Sequence, residues 1–93
     1  MKTIEKIEKE EIKNLSFKKA EVLSSADEIK KRWSDLYRAQ ALGNLLQSKV
    51  QIIFETTDEK TYRVDTTIWA VGQDFVSLKG GIHIPVSSIH EVS

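Results

Sequence analysis

Residues 66–89, TTIWAVGQDFVSLKGGIHIPVSSI, constrain this chain more than any other stretch. Short apolar runs alternate there with two sets of turn formers, Gly72-Gln73-Asp74 and Gly80-Gly81, before the pattern breaks at Pro85. Runs of that length bounded by glycine read as strands joined by tight reversals. Pro85 has no N–H to give to a ladder, so it must end its strand or lie on a sheet edge. The three residues that follow suit a single 3₁₀ turn, and Ile89 to Val92 then forms a last strand.

The residues just upstream supply the strands this stretch needs. From Lys49 the hydrophobic period is two: Val50, Ile52 and Phe54 alternate with Gln51, Ile53 and Glu55, which predicts a strand with one strongly apolar face. A TDEK turn at 57–60 leads into a second strand over 61–71. There Tyr62, Val64, Thr66, Ile68 and Ala70 take one side, and Arg63, Asp65, Thr67, Trp69 and Val71 the other. Eleven residues is about twice the usual strand length of roughly five or six. This strand is therefore expected to bend and serve two sheets. The expected core is Val50, Ile52, Phe54, Val64, Ile68, Val76, Leu78, Ile82, Ile84 and Ile89.

Ahead of the strands, Ser25 and Glu28 form an S-x-x-E capping box that predicts a helix start. Asp27 with Lys31, and Glu28 with Arg32, set an acid four residues before a base, the better orientation for such pairs. Ile29, Trp33, Leu36, Tyr37 and Gln40 share one face, so the helix is amphipathic and should cover something apolar. Gly43 and Asn44 tolerate the left-handed conformation of a helix end, which places the stop near Leu42. Further upstream, Ile4, Ile7, Ile12 and Leu15 fall in one helical arc diluted by Glu8 and Glu11. That predicts a weakly amphipathic helix over 3–13, to be set against a mobile charged terminus, since isolated helices of this length are marginal. Residues 16–23 lean helical, with an extended run from Phe17 to Val22 as the alternative.

The expected architecture is therefore one α+β domain over 1–93. It comprises a helical or partly mobile N-terminal segment (1–24), an amphipathic helix (25–43) and a five-stranded small β-barrel (49–93). Ninety-three residues leave room for one core only, and the absence of cysteine leaves its stability to packing. No apolar run approaches the roughly 20 residues needed to span a bilayer, and the charged N-terminus lacks the apolar stretch of a secretory signal. A cytoplasmic protein without a membrane partner is expected. Basic and acidic side chains balance at 14 each, but the second half is mildly acidic, with four bases against six acids from Lys49 onward. This argues against a general phosphate-binding face on the strands.

Five strands, the last two joined by a 3₁₀ turn and the second long and bent, resemble the SH3-like barrel class. The runs DFVSL at 74–78 and IPVSSI at 84–89 are similar to those of Sm-like proteins. The chain as a whole resembles a group of short, functionally uncharacterised bacterial proteins. That likeness is carried by RAxxLGN at 38–44, KVxIxFET at 49–56, TTIWA at 66–70 and LKGGIxIP at 78–85. The Sm-like resemblance would imply RNA binding through a polar residue, commonly asparagine, after the second strand and a basic Arg-Gly element between the fourth and fifth. Here those places read VGQDFVSL and HIPVSSIHE, without arginine, and the glycine expected at the bend of the second strand is also missing. The resemblance therefore implies the fold more strongly than the RNA pocket.

The candidate chemistry is sparse. His83 and His90 are the only imidazoles, and neither the spacing nor the neighbouring acids assemble a catalytic or metal-binding constellation. Catalytic residues, cofactor, metal and small-molecule substrate are all expected to be absent, and the chain reads as a non-catalytic module that binds a protein or itself. Trp69 faces away from the barrel core on the predicted pattern. Either the helix covers it with Trp33, Leu36 and Tyr37, or it joins Val71 and Ile53 in an exposed interaction patch. The edge over 82–92, with His83, Ile84 and His90, is the other candidate partner surface. An alternative function, nucleic-acid binding by an RNA accessory protein, would use Lys30, Lys31, Arg32 and Arg38, with Lys18 and Lys19 upstream. Its rival is a solvated helix face paired with Asp27, Glu28 and Asp35.

Overall fold

The computed structural model describes residues 3–93. Two sheets and one long helix make up the α+β fold. Strands β1 (Ile4–Lys6), β3 (Thr61–Thr66), β2 (Val50–Glu55) and β7 (Ile89–Val92) form a four-stranded sheet in the order β1-β3-β2-β7. Strands β4 (Ile68–Val71), β5 (Phe75–Leu78) and β6 (Ile82–Pro85) form a second sheet in that order. The long second strand does serve both: it breaks at Thr67, leaving β3 in one sheet and β4 in the other. The two sheets do not close into one barrel. Although β6 and β7 are separated only by the 3₁₀ turn Val86–Ser88, β7 pairs with β2 and β6 with β5 alone. The turn redirects the chain at Pro85, whose carbonyl accepts a 2.7 Å hydrogen bond from the Ser88 hydroxyl.

Helix α2 runs Ala26–Leu46. Ser25 caps it, accepting from the Glu28 N–H at 3.1 Å, while its hydroxyl donates to the Glu28 carboxylate. Such a cap contributes about 1 kcal/mol. The helix does not stop at Leu42 but continues one turn, and Gln47 takes the left-handed conformation (φ 53°). Gly43 serves close packing instead of termination. Its Cα lies against the β4 backbone so closely that a Cβ there would overlap the Ile68 carbonyl oxygen and come within 3.1 Å of Thr67 Cγ2. The two positive-φ glycines, Gly80 and Gly81, form the β5–β6 reversal as expected.

The N-terminal helix expected over 3–13 is replaced by β1 and a four-residue helix α1 (Lys9–Ile12). A weak isolated helix loses to a parallel pairing along the free edge of β3, Ile4 to Thr61 and Lys6 to Arg63, with Ile7 and Ile12 buried in the core. Residues 16–23 are extended, not helical. Phe17 bridges Thr56, the Lys18 N–H donates to the Glu55 carbonyl, and the Val22 N–H donates to the Ser87 carbonyl. This strap takes over as neighbour of β2 where β7, whose pairing ends at Phe54–Ile89, leaves off. Eight of the ten expected core residues are buried, and Val50 and Ile82 pack half-buried against them. Leu36, Ala39, Tyr62, Val86 and Val92 join that core with Ile7 and Ile12.

Candidate interaction surfaces

The sheet edges differ in how they are covered. β1 lies along β3, and the strap lies along the end of β2. Along β7, the Arg32 guanidinium of α2 donates to the Ile89 carbonyl at 3.0 Å. Along β4, the Val71 N–H donates to Gln40 Oε1 of α2. β1 is itself an outer strand but is only three residues long and charged, with Lys6 paired to Asp65 at 3.4 Å. Short charged edges resist further pairing. β6, in contrast, has a strand neighbour on one side only and reads Ile-His-Ile-Pro, without an acidic or lysine guard. An antiparallel strand with one neighbour leaves the N–H and C=O of alternate residues turned outward.

Trp69 lies at a β-bulge. Ile68 pairs with Leu78 and Ala70 with Ser77, so Trp69 is the extra residue, and it faces away from buried Ile68 as the alternation predicts. It remains 46% exposed. Of the helix aromatics expected to cover it, Trp33 stacks on Tyr37, with ring centroids 5.9 Å apart, and Tyr37 is itself exposed. Val71 lies near Trp69 on β4, but Ile53 belongs to the other sheet, between Arg63 and Glu91. The structure does not bring the three together by strand pairing.

The histidines separate. His83 is exposed on β6 opposite Ser77. Ile84 is fully buried and cannot meet a partner. His90 is half-buried, with Nε2 2.8 Å from Oε1 of Glu55, so its ring is engaged within the fold. The Glu55 carboxylate is buried and also accepts from Lys18 Nζ at 2.7 Å. That hydrogen bond holds the Lys18 ammonium above its ordinary pKa. Among the described residues no group of three or more His, Asp or Glu is placed to hold a metal ion.

Arg32 is corrected too. It is 4% exposed and donates through both terminal nitrogens to the Glu21 carboxylate, at 2.6 Å for Nη1, instead of meeting Glu28. Burial opposes ionisation of Glu21. The hydrogen bonds from Arg32 and from the Leu23 N–H outweigh it and hold the carboxyl below the usual carboxylate range. The pair ties the strap to α2 and β7. Lys30, Lys31 and Arg38 remain exposed, with Lys31 (2.6 Å) and Arg38 (3.8 Å) both paired to Asp35.

Two surfaces have no local sequence signal. A groove of about 580 Å³ lies between the strap, the first turns of α2 and the ends of β5 and β6. Phe17, Ile29, Trp33, Phe75, Pro85 and Val86 give it apolar walls, and Lys19, Asp74 and the Glu21–Arg32 pair add charged side chains. Because these residues come from four separated segments, only the tertiary fold assembles the site. The second surface is the last turn of α2, where Leu45 and Leu46 are 80% and 70% exposed beside the partly exposed Leu42. The stop expected at Leu42 hid this spacing of i, i+3 and i+4.

No protein-family model, curated protein or solved structure matches this chain. No helix among the described residues is long and apolar enough to cross a membrane.

Proposed function

We propose that this chain is a non-catalytic interaction module that binds another protein chain, or a second copy of itself, through the outer edge of β6. The observation that carries the reading is the contrast between edges: β2 and β3 have chain paired alongside, β4 and β7 each take a side-chain hydrogen bond from α2, while the uncharged β6 has one strand neighbour among the described residues. Such an edge accepts an added strand through main-chain hydrogen bonds. The non-catalytic reading is supported by the engagement of His90 with Glu55 and by the placement of His83 on the other sheet, apart from it. An SH3-like or Sm-like small barrel, left open between β6 and β7, is the architecture we propose for residues 49–93. Its support is the chain order: a β2–β3 hairpin, a bent β3–β4, the β4–β5–β6 meander, and the return of β7 to β2 through a 3₁₀ turn. A cytoplasmic, bacterial setting belongs to the same proposal and rests on the cysteine-free composition and the resemblance described above.

Light scattering over a concentration series tests self-pairing at this edge. The mass is expected to rise with concentration, and His83→Lys, which guards the edge with charge, should lower the rise. A wild-type mass that stays monomeric up to about 1 mM, the scale of the weakest specific complexes, would remove the self-pairing form of the proposal. The nucleic-acid alternative retains Lys30, Lys31 and Arg38. Titration with RNA at two salt concentrations tests it, because phosphate contacts make affinity fall steeply with salt.

A further inference from the structure

The two surfaces that the edge reading does not use are complementary to one another. Leu42, Leu45 and Leu46 make an apolar knob at the end of α2, and the groove walled by Trp33 and Phe75 is an apolar receptacle at its start. Phe75, 53% exposed, stands open at that receptacle. A chain cannot seat its own knob in its own groove, since Trp33 and Leu45 are twelve residues apart on one rigid helix, about 18 Å along its axis. A second copy can.

We propose that copies of this chain associate head to tail, the Leu42/Leu45/Leu46 knob of one seated in the Trp33/Phe75 groove of the next.

Charge supports this occupant at two points. Lys49, exposed three residues beyond the knob, is matched by exposed Asp74 on the groove. Of the other charged residues at the groove, Glu21 and Arg32 are paired with each other, and Lys19 is matched by the helix end itself. The last turn of α2 contains no basic residue to offset the partial negative charge of its carbonyls, and a cation placed there by a neighbouring copy is favourable. The exposed leucines thereby gain a partner of suitable polarity as well as an apolar wall. A contact of this kind joins two different patches, so it leaves a free knob at one end of every assembly and a free groove at the other. Growth continues past the dimer unless the rotation closes a ring.

This property gives a test independent of the β6 edge. Leu45→Asp/Leu46→Asp removes the knob, and Phe75→Asp removes the groove's open wall, all at exposed positions. Wild type should grow beyond a dimer by sedimentation velocity as concentration rises. Made together with His83→Lys, so that the β6 edge does not contribute, each variant alone should stay monomeric, its association weakened at least about tenfold, or about 1.4 kcal/mol. Mixed in equal amounts, the two variants should form a dimer of one copy of each and stop there, because one intact knob and one intact groove remain. Asp74→Lys serves as a second groove variant, and a circular-dichroism melt checks that every variant is folded. The inference is overturned if wild type stays monomeric, if folded knob or groove variants still assemble, or if the mixture forms no dimer. If His83→Lys alone abolishes assembly while the knob and groove substitutions without it keep it, the β6 edge reading stands and this one falls.

Discussion

Replacing Gly43 with alanine should destabilise this fold, even though alanine is the better helix former. At an open helix position the substitution would gain about 1 kcal/mol. Here the new methyl would overlap the Ile68 carbonyl oxygen, a backbone atom of β4 that cannot swing aside. The helix must therefore lift from the strand, and overpacking of this kind costs about 1–3 kcal/mol. Lifting also loosens two hydrogen bonds that lie one turn to either side of Gly43. The Val71 N–H donates to Gln40, and the Thr67 hydroxyl donates to the Gln47 carbonyl at 3.3 Å. At about 1 kcal/mol each, their loss brings the net destabilisation to about 2–4 kcal/mol. For a domain of this size that corresponds to a fall in Tm of about 8–30 °C. Thermal and urea unfolding followed by circular dichroism would measure it, with Asn44→Ala, at an exposed position of the same helix, as the control expected to be neutral or slightly stabilising. A Gly43→Ala protein as stable as wild type, or more stable, would refute the close approach of α2 to β4.

The Glu21–Arg32 link should show itself as a pH dependence. The folded carboxyl ionises below its ordinary value of 4.5, so its stabilisation is complete above that pH and is lost as pH falls through the lower folded value. The stability gap between wild type and Glu21→Gln should thus be constant from neutral pH to about pH 5 and close below it; a gap that persists unchanged to pH 3 would count against the pair. Glu55→Ala should cost about 1–3 kcal/mol, read from urea midpoints, because the buried carboxylate ties β2 to both the strap and β7. The cost stays below that of a fully buried ion pair, since Lys18 and His90 keep about a third of their side chains exposed and can turn to water.

Local patterns were legible where a local rule decides the outcome. The period-two alternation of Val50, Ile52 and Phe54 placed β2 and its buried face, the Ser25 to Glu28 spacing placed the helix start, and Pro85 ended β6. Even the bend of the long strand followed from its length alone. The readings that failed share one cause, a local preference outweighed by a distant contact. Ile4, Ile7 and Ile12 have helical spacing, yet the unpaired edge of β3 draws Ile4 into a strand. Gly43 reads as a helix stop, yet β4 needs its missing side chain. Arg32 reads as one base among four on a solvated face, yet Glu21 and the Ile89 carbonyl draw it inside.

The sequence by itself determined the α+β class, the order of the elements over 25–93 and most of the core, because periodicity, caps and turn residues act within a few positions of one another. Tertiary structure alone decided which surfaces face outward. Whether Trp69 is covered depends on which neighbours pack over β4, whether Leu45 is exposed depends on how far α2 can run past Gly43, and the Trp33/Phe75 groove exists only where four distant segments meet. These are properties of packing between elements, and a chain read in order has no access to them until its edges have chosen their neighbours.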